Sequence, residues 1–128
     1  MMKIKIASIL VNNQEQALQF YSGVLGFEKK DDIPLGEHRW LSVVSPGEPQ
    51  GTELLLESNA HEAARVFQAA MFADGIPATL FFVDDIQAEY ERLKDLDVTF
   101  TMEPTTAGEI TLAMFDDSCG NLIQLVQQ

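Results

Sequence analysis

Val11–Phe27, VNNQEQALQFYSGVLGF, is the stretch whose reading decides the fold. It runs from a strand end through the polar turn Asn12-Asn13 into an amphipathic helix, and leaves through Leu25-Gly26-Phe27 toward another strand. Ala17, Leu18, Phe20, Tyr21, Val24 and Leu25 recur at three- and four-residue spacing, with Gln14, Glu15 and Gln19 opposite. A side-chain oxygen of the asparagine turn caps the helix start, and Gly26 suits a left-handed exit. The stretch has an echo at Val83, VDDIQAEYERLKDLDV, in which Val83 answers Val11 and Leu96 answers Leu25 to within one residue of the same interval. Two half-chains built on one plan point to a repeated βαβββ module.

Outward from the first helix, Lys3–Val11 has strand composition and length. Phe27–Ile33 begins a second strand closed by Pro34 and Gly36, and His38–Val44 forms a third. The loop Ser45–Gly51 turns the chain into a fourth, Thr52–Ser58, paired with the third as a hairpin. Residues 59–75 form a linker helix with Ala63, Ala64, Val66, Phe67, Ala70 and Met71 along one side, ended by Gly75. The plan then recurs: strand Ala78–Val83, a cap at Asp84 or Asp85, and helix Ile86–Leu96. Strand Val98–Met102 follows, then a loop from Pro104 to Gly108, strand Ile110–Phe115, turn Asp116–Asn121 and strand Leu122–Gln127. The expected class is α+β: one domain, 1–128, of two βαβββ modules (1–58 and 77–128).

The charge excludes some partners. Twenty acids against eight bases leave −12 at pH 7 and a pI near 4.3. Nucleic-acid binding draws mainly on Lys and Arg neutralising phosphates, so nucleic acid is not an expected partner, nor is an anionic membrane surface. A cationic ligand would be steered in. The single cysteine, Cys119, makes no internal disulfide and nothing requires an oxidising compartment. No run approaches the roughly 18 apolar residues that span a bilayer, and no signal-peptide pattern opens the chain. The expectation is a soluble, cytoplasmic protein.

With these pieces in place the chain resembles the vicinal-oxygen-chelate superfamily, the glyoxalase, bleomycin-resistance and extradiol-dioxygenase group. The resemblance rests on VNNQEQALQFYSGVLGF, VDDIQAEYERL and the closing FDDSCGNLIQLVQ. The last motif usually reads Asp-Pro-x-Gly-Asn, and Ser118 and Cys119 replace its middle here. The resemblance implies that the two modules' mixed sheets curl into a cup with the helices on the outer face. Strand alternation in such a fold sends Ala7, Ile9, Val11, Leu54 and Leu56 toward the helices. It turns Ile6, Ser8, Leu10, Glu53, Leu55 and Glu57 to the cup in the first module. In the second, Ala78, Leu80, Phe82, Leu122, Gln124 and Val126 take that face. Trp40, Phe82, Met114 and Phe115 are the aromatic or polarisable candidates for a lining. Arg39 and Trp40 point to opposite faces, and alternation alone leaves open which one looks into the cup.

Metal-dependent members of the group carry a ligand on each of four strands, and the resemblance places those positions on Ile6, Glu53, Ala78 and Gln124. Only Glu53 is an ordinary ligand, whereas a tightly held divalent ion takes about three or more protein donors. His38 and His61, the chain's two histidines, fall elsewhere. A metal-chelating mechanism is therefore not expected, and no other cofactor is implied. Glu53 is the weak candidate for a catalytic base; Glu57, about 13 Å farther along the strand, is too distant to share its proton. Cys119 lies in an acidic turn that disfavours the thiolate. The resemblance implies a homodimer that binds a small aromatic or cationic ligand without metal, as bleomycin-resistance proteins sequester cationic drugs. The expected lining is Ile6, Ser8, Leu10, Trp40, Glu53, Leu55, Phe82, Met114 and Gln124. The alternative is a metal-dependent lyase, isomerase or dioxygenase with Glu53 as ligand or base.

Overall fold

The computed structural model describes all residues, 1–128. Both halves repeat one plan. In the first, β1 (Ile6–Val11) leads into α1 (Gln14–Leu18), a π-helical turn (Gln19–Val24), β2 (Glu28–Leu35), β3 (His38–Val44) and β4 (Glu53–Ser58). After α2 (Glu62–Ala73) come β5 (Thr79–Phe82), α3 (Ile86–Asp95), β6 (Phe100–Ala107), β7 (Ile110–Asp116) and β8 (Leu122–Gln127). The four-stranded sheets have the same order, β1-β4-β3-β2 and β5-β8-β7-β6. In each, the first strand runs parallel to the last and the other pairings are antiparallel. Neither sheet closes on itself as a barrel. The α+β class and the duplicated βαβββ plan expected from the sequence are thus observed. Two compact units result, Met1–Val66 and Phe67–Gln128, divided inside α2. No helix is long and apolar enough to cross a membrane.

Local chemistry explains the matching starts of α1 and α3. The Asn13 carboxamide oxygen accepts from the Gln16 N–H at 2.9 Å, and Asp85, rather than Asp84, accepts from Ala88 at 3.1 Å. Each satisfies a backbone donor left unpaired at a helix start. The first helix differs from expectation by widening after Leu18, so that Leu25 donates to the Phe20 carbonyl, five residues back. Consecutive residues Phe20 and Tyr21 are both buried there, an outcome that the wider turn accommodates. Gly26 leaves at φ +93, as a left-handed exit requires.

Two expected breaks are not breaks. β2 continues through Pro34, which lies opposite Arg39, and β6 continues through Pro104 to Ala107 where a loop was expected. Both are edge strands, where a missing N–H removes no ladder bond, and β6 shifts register between Met102 and Thr105 around its proline. The first strand starts at Ile6 rather than Lys3. On α2 the apolar side is not covered within the chain: Val66 and Phe67 are 63% and 58% exposed, and the buried residue is Gln68.

Gln68 is buried because it serves the turn after β7. Its amide donates to the Cys119 carbonyl and to Asn121 Oδ1, each at 3.1 Å. Asp117, wholly buried, accepts from the Cys119 and Asn121 N–H groups at 2.7 and 2.9 Å and from Asn121 Nδ2 at 2.8 Å. Every buried side-chain nitrogen and oxygen of this turn is thereby paired.

Candidate functional site

In the first unit α1 packs on β3 and β4, and Ile9, Val11, Leu41, Val43 and Leu56 are buried. The other sheet face is fixed by register: Ile6 lies beside Glu53, Ser8 beside Leu55, Leu10 beside Glu57, and Ser42 across from Leu55. Trp40 shares the parity of Ser42 and so the same face. Arg39 takes the α1 side, held by Asp32 at 2.7 and 2.9 Å and by Glu15 at 2.9 Å. The structure therefore settles the pair that alternation left open, placing Trp40 on the sheet face of Glu53 and level with Glu57. Hydrogen bonds to Asp32 and, secondarily, to Glu15 raise the Arg39 pKa. The Asp32 carboxyl is held low chiefly by Arg39, and that of Glu15 by Gln19 first and Arg39 second.

α1 is anchored to the sheet through Gln14. Its amide donates to the carbonyls of Arg39 and Leu56 at 2.8 and 2.9 Å and its oxygen accepts from the Arg39 N–H at 3.0 Å. The β3–β4 ladder pairs only Ser42 with Leu55 and Val43 with Leu54, so one side chain bridges the strands beyond it. In the second unit Gln127 plays a lesser version of this part, its oxygen accepting from the Ile86 N–H at 2.7 Å.

Glu53 is 7% exposed. Ser42, fully buried, donates through Oγ to Glu53 Oε1 at 2.8 Å. The other oxygen, Oε2, lies 3.7 Å from Lys30 Nζ, an ion pair too long for a hydrogen bond. Lys30 meanwhile donates to the Pro49 carbonyl at 2.8 Å, tying the 45–51 loop to the site, and Gly47 donates to Glu28 at 3.0 Å. No fully buried side-chain oxygen in the chain lacks a hydrogen-bond partner, so Oε2 keeps solvent access. The arrangement is a carboxylate with one oxygen pinned and the other reachable, with half-buried Trp40 and exposed Ile33, paired across β3 and β2, farther along the same sheet face.

Sequence reasoning passed over both partners of Glu53. Ser42 carries a usable signal, a hydroxyl inside the apolar run Leu41–Val44 at the parity of Trp40. Lys30 carries none, because it falls at a register shift between Lys29 and Asp31. The two basic side chains that open β3 do not serve Glu53. Arg39 faces α1 and His38 is exposed at the start of β3.

Of the expected lining, Ile6, Ser8, Leu10, Trp40, Glu53 and Leu55 share this face of the first sheet, with Ile6 and Ser8 exposed. In the second unit, Met114 lies across from Gln124, and Leu80 beside it; Phe82 follows on the same face and is 63% exposed. Phe115 goes to the opposite, buried face, where Phe100 stacks on it at 5.6 Å, which corrects its place among the lining candidates. Cys119 is buried, and burial, with the Asp117 charge second, pushes its thiol up to about 12. Such a thiol is a poor nucleophile.

A divalent metal does not fit these residues. Ile6 and Ala78 are hydrocarbon, Gln124 is neutral, and Glu53 is already engaged by Ser42 and Lys30. No three His, Cys, Asp or Glu side chains converge anywhere in the chain in a way that could hold an ion.

Comparison with known proteins agrees with the geometry. The family model described as Glyoxalase/Bleomycin resistance protein/Dioxygenase superfamily matches residues 3–125. The Bacillus subtilis (strain 168) protein YurT is 58% identical, covering 99% of this chain and all of YurT. Among solved structures, UcmS2 superposes with a TM-score of 0.85 at 32% identity, over 98% of each chain. TnmS3, an antibiotic binding protein from Streptomyces sp. CB03234, gives 0.78 at 28% identity over 99% of this chain and 96% of its own. With the duplicated module, the two sheet orders and a family match over nearly its full length, this chain belongs to the glyoxalase/bleomycin resistance protein/dioxygenase superfamily.

Proposed function

We propose that this protein binds a small aromatic or cationic ligand on the Glu53 face of the first sheet, without a resident metal. The observation that carries the reading is the half-satisfied carboxylate. Glu53 is buried, pinned by Ser42 on one oxygen, and keeps the other accessible on the sheet face that Trp40 shares. A buried carboxylate left open to solvent on one atom is suited to accept a hydrogen bond from a guest, and an indole farther along the same face supplies apolar contact to its body. The misfit of the donor set to a divalent ion supports binding over metal-assisted turnover. The antibiotic-binding role of TnmS3 supports a small-molecule ligand. The same reading takes the working form to be a cytoplasmic homodimer.

Thermal-shift screening of the purified protein against aromatic compounds, charged and neutral, beside Mn, Fe, Ni and Zn salts tests this. A ligand at a hundredfold excess over its Kd stabilises by about 2.7 kcal/mol, a clear rise in Tm. Stabilisation by organic compounds, lost in Glu53→Gln, is the expected result. Stoichiometric metal in the purified protein, with activity that disappears on its removal, would overturn the reading.

A further inference from the structure

We propose that Lys30 sets the charge selectivity of the Glu53 face, so that the group Glu53 recognises is a neutral hydroxyl or amide N–H donor rather than a cation. This rests on the binding role proposed for that face and decides between its two ligand chemistries. The chain's charge of −12 by itself points to a cation. Contact geometry points the other way. Glu53 Oε2 is the accessible atom, and the Lys30 ammonium already lies 3.7 Å from it. A ligand cation reaching Oε2 must sit within a few ångströms of that ammonium or displace it. Displacement would cost Lys30 its ion pair and perturb its 2.8 Å bond to the Pro49 carbonyl, which helps hold the 45–51 loop.

A neutral donor meets neither obstacle. Its hydrogen fits the acceptor, Lys30 stays in place, and the buried carboxylate gains a second hydrogen bond while keeping its counter-charge. The other acids of this face do not reverse the balance. Glu57 is four residues along β4 from Glu53, while Asp31 and Glu28 lie on β2, across from Ser42 and Val44 and two strands from β4, and Glu28 is engaged by the Gly47 N–H. Strand geometry puts Glu57 about 13 Å and the β2 backbone about 10 Å from Glu53, separations at which salt screens exposed charges, whereas Lys30 is at contact distance. Ser42 is occupied with Oε1, which leaves Oε2 as the discriminating atom.

The test uses three probes on one aromatic frame: 2-naphthol, 2-naphthylmethylammonium and 2-methoxynaphthalene, which has no donor. Binding to the full chain is read by ligand-observed NMR with Trp40 fluorescence, in wild type, Lys30→Met, Lys30→Gln, Lys30→Arg and Glu53→Gln. Each variant's Tm is measured first, and Lys30→Gln serves if Lys30→Met does not fold. The expected result is that wild type and Lys30→Arg prefer the naphthol over the ammonium severalfold. Removing the charge should raise ammonium affinity about tenfold and invert the order, and Glu53→Gln should abolish the advantage of both over the methoxy compound. Wild type preferring the ammonium, or an unchanged order after neutralising Lys30, overturns the inference while leaving ligand binding intact. Failure of every probe to bind any folded variant overturns the binding role and the inference together.

Discussion

Ser42 and Glu53, eleven residues apart in sequence, are locked by a 2.8 Å hydrogen bond from a fully buried hydroxyl to a carboxylate only 7% exposed. Hydrogen bonds to charged groups contribute about 1.5–3 kcal/mol, and removing the donor leaves a buried acceptor unmatched. Ser42→Ala should therefore lower unfolding free energy in urea by about 2 kcal/mol, with an unchanged m-value. A loss under 0.5 kcal/mol would show that Glu53 turns to other partners once the hydroxyl is gone.

Gln14 offers a second test, because one side chain completes pairing between β3 and β4. Gln14→Ala leaves the Arg39 N–H and the Arg39 and Leu56 carbonyls without their bonds, for a cost of about 2–3 kcal/mol. Amide exchange at Arg39 should accelerate with it. Gln14→Glu should cost as much or more, since a carboxylate has no N–H to offer the two carbonyls.

At Gly120 the space is already taken. A Cβ there would come within 2.7 Å of Gln68 Nε2, and φ is +99. Gly120→Ala should destabilise by about 1–3 kcal/mol through strain and displacement of the Gln68 amide. Pairing it with Gln68→Ala, which opens the space, should give less than the sum of the two single losses in a double-mutant cycle.

The acid limb of stability should depend on Arg39. Asp32 and Glu15 have folded pKa values below their ordinary 3.8 and 4.5, with Arg39 the leading cause for Asp32 and Gln19 for Glu15. A depressed carboxyl contributes stability that is complete above its unfolded pKa and is lost as pH falls through the folded one. Stability measured from pH 6 downward should hold until about pH 4.5 and then decline. In Arg39→Met the decline attributable to these two groups should flatten. An identical slope in both proteins would show that the ion pairs are not linked to folding.

Cys119 should be inert in the native chain. Its thiol lies near 12 against an ordinary 9.0, so almost no thiolate exists at pH 8. Alkylation at pH 8 should be slow in buffer and fast in denaturant. The raised pKa also means stability falls as pH climbs from 9 toward 12, where the unfolded thiol ionises and the folded one does not.

Much of the site was beyond the reach of alternation, for a reason visible at Lys30. A strand's period of two assigns faces only while register holds, and β2 slips between Lys29 and Asp31. That slip makes Asp32, across from Leu41, the residue on the Arg39 side, and leaves Lys30 to reach Glu53. β1 and β4 have no such slip, and the expected sharing of one face by Ile6, Ser8, Leu10, Glu53 and Leu55 agrees with their pairing.

By itself the sequence determined the duplicated plan, the helix caps, the hairpin of β3 with β4 and the poverty of metal donors. Each of these follows from local composition or spacing, which a chain carries before it folds. Only the tertiary structure decided the partners of Glu53, the face taken by Trp40 and the burial of Gln68. Those depend on which strands lie side by side and where a ladder slips, and residues far apart in the chain settle them together.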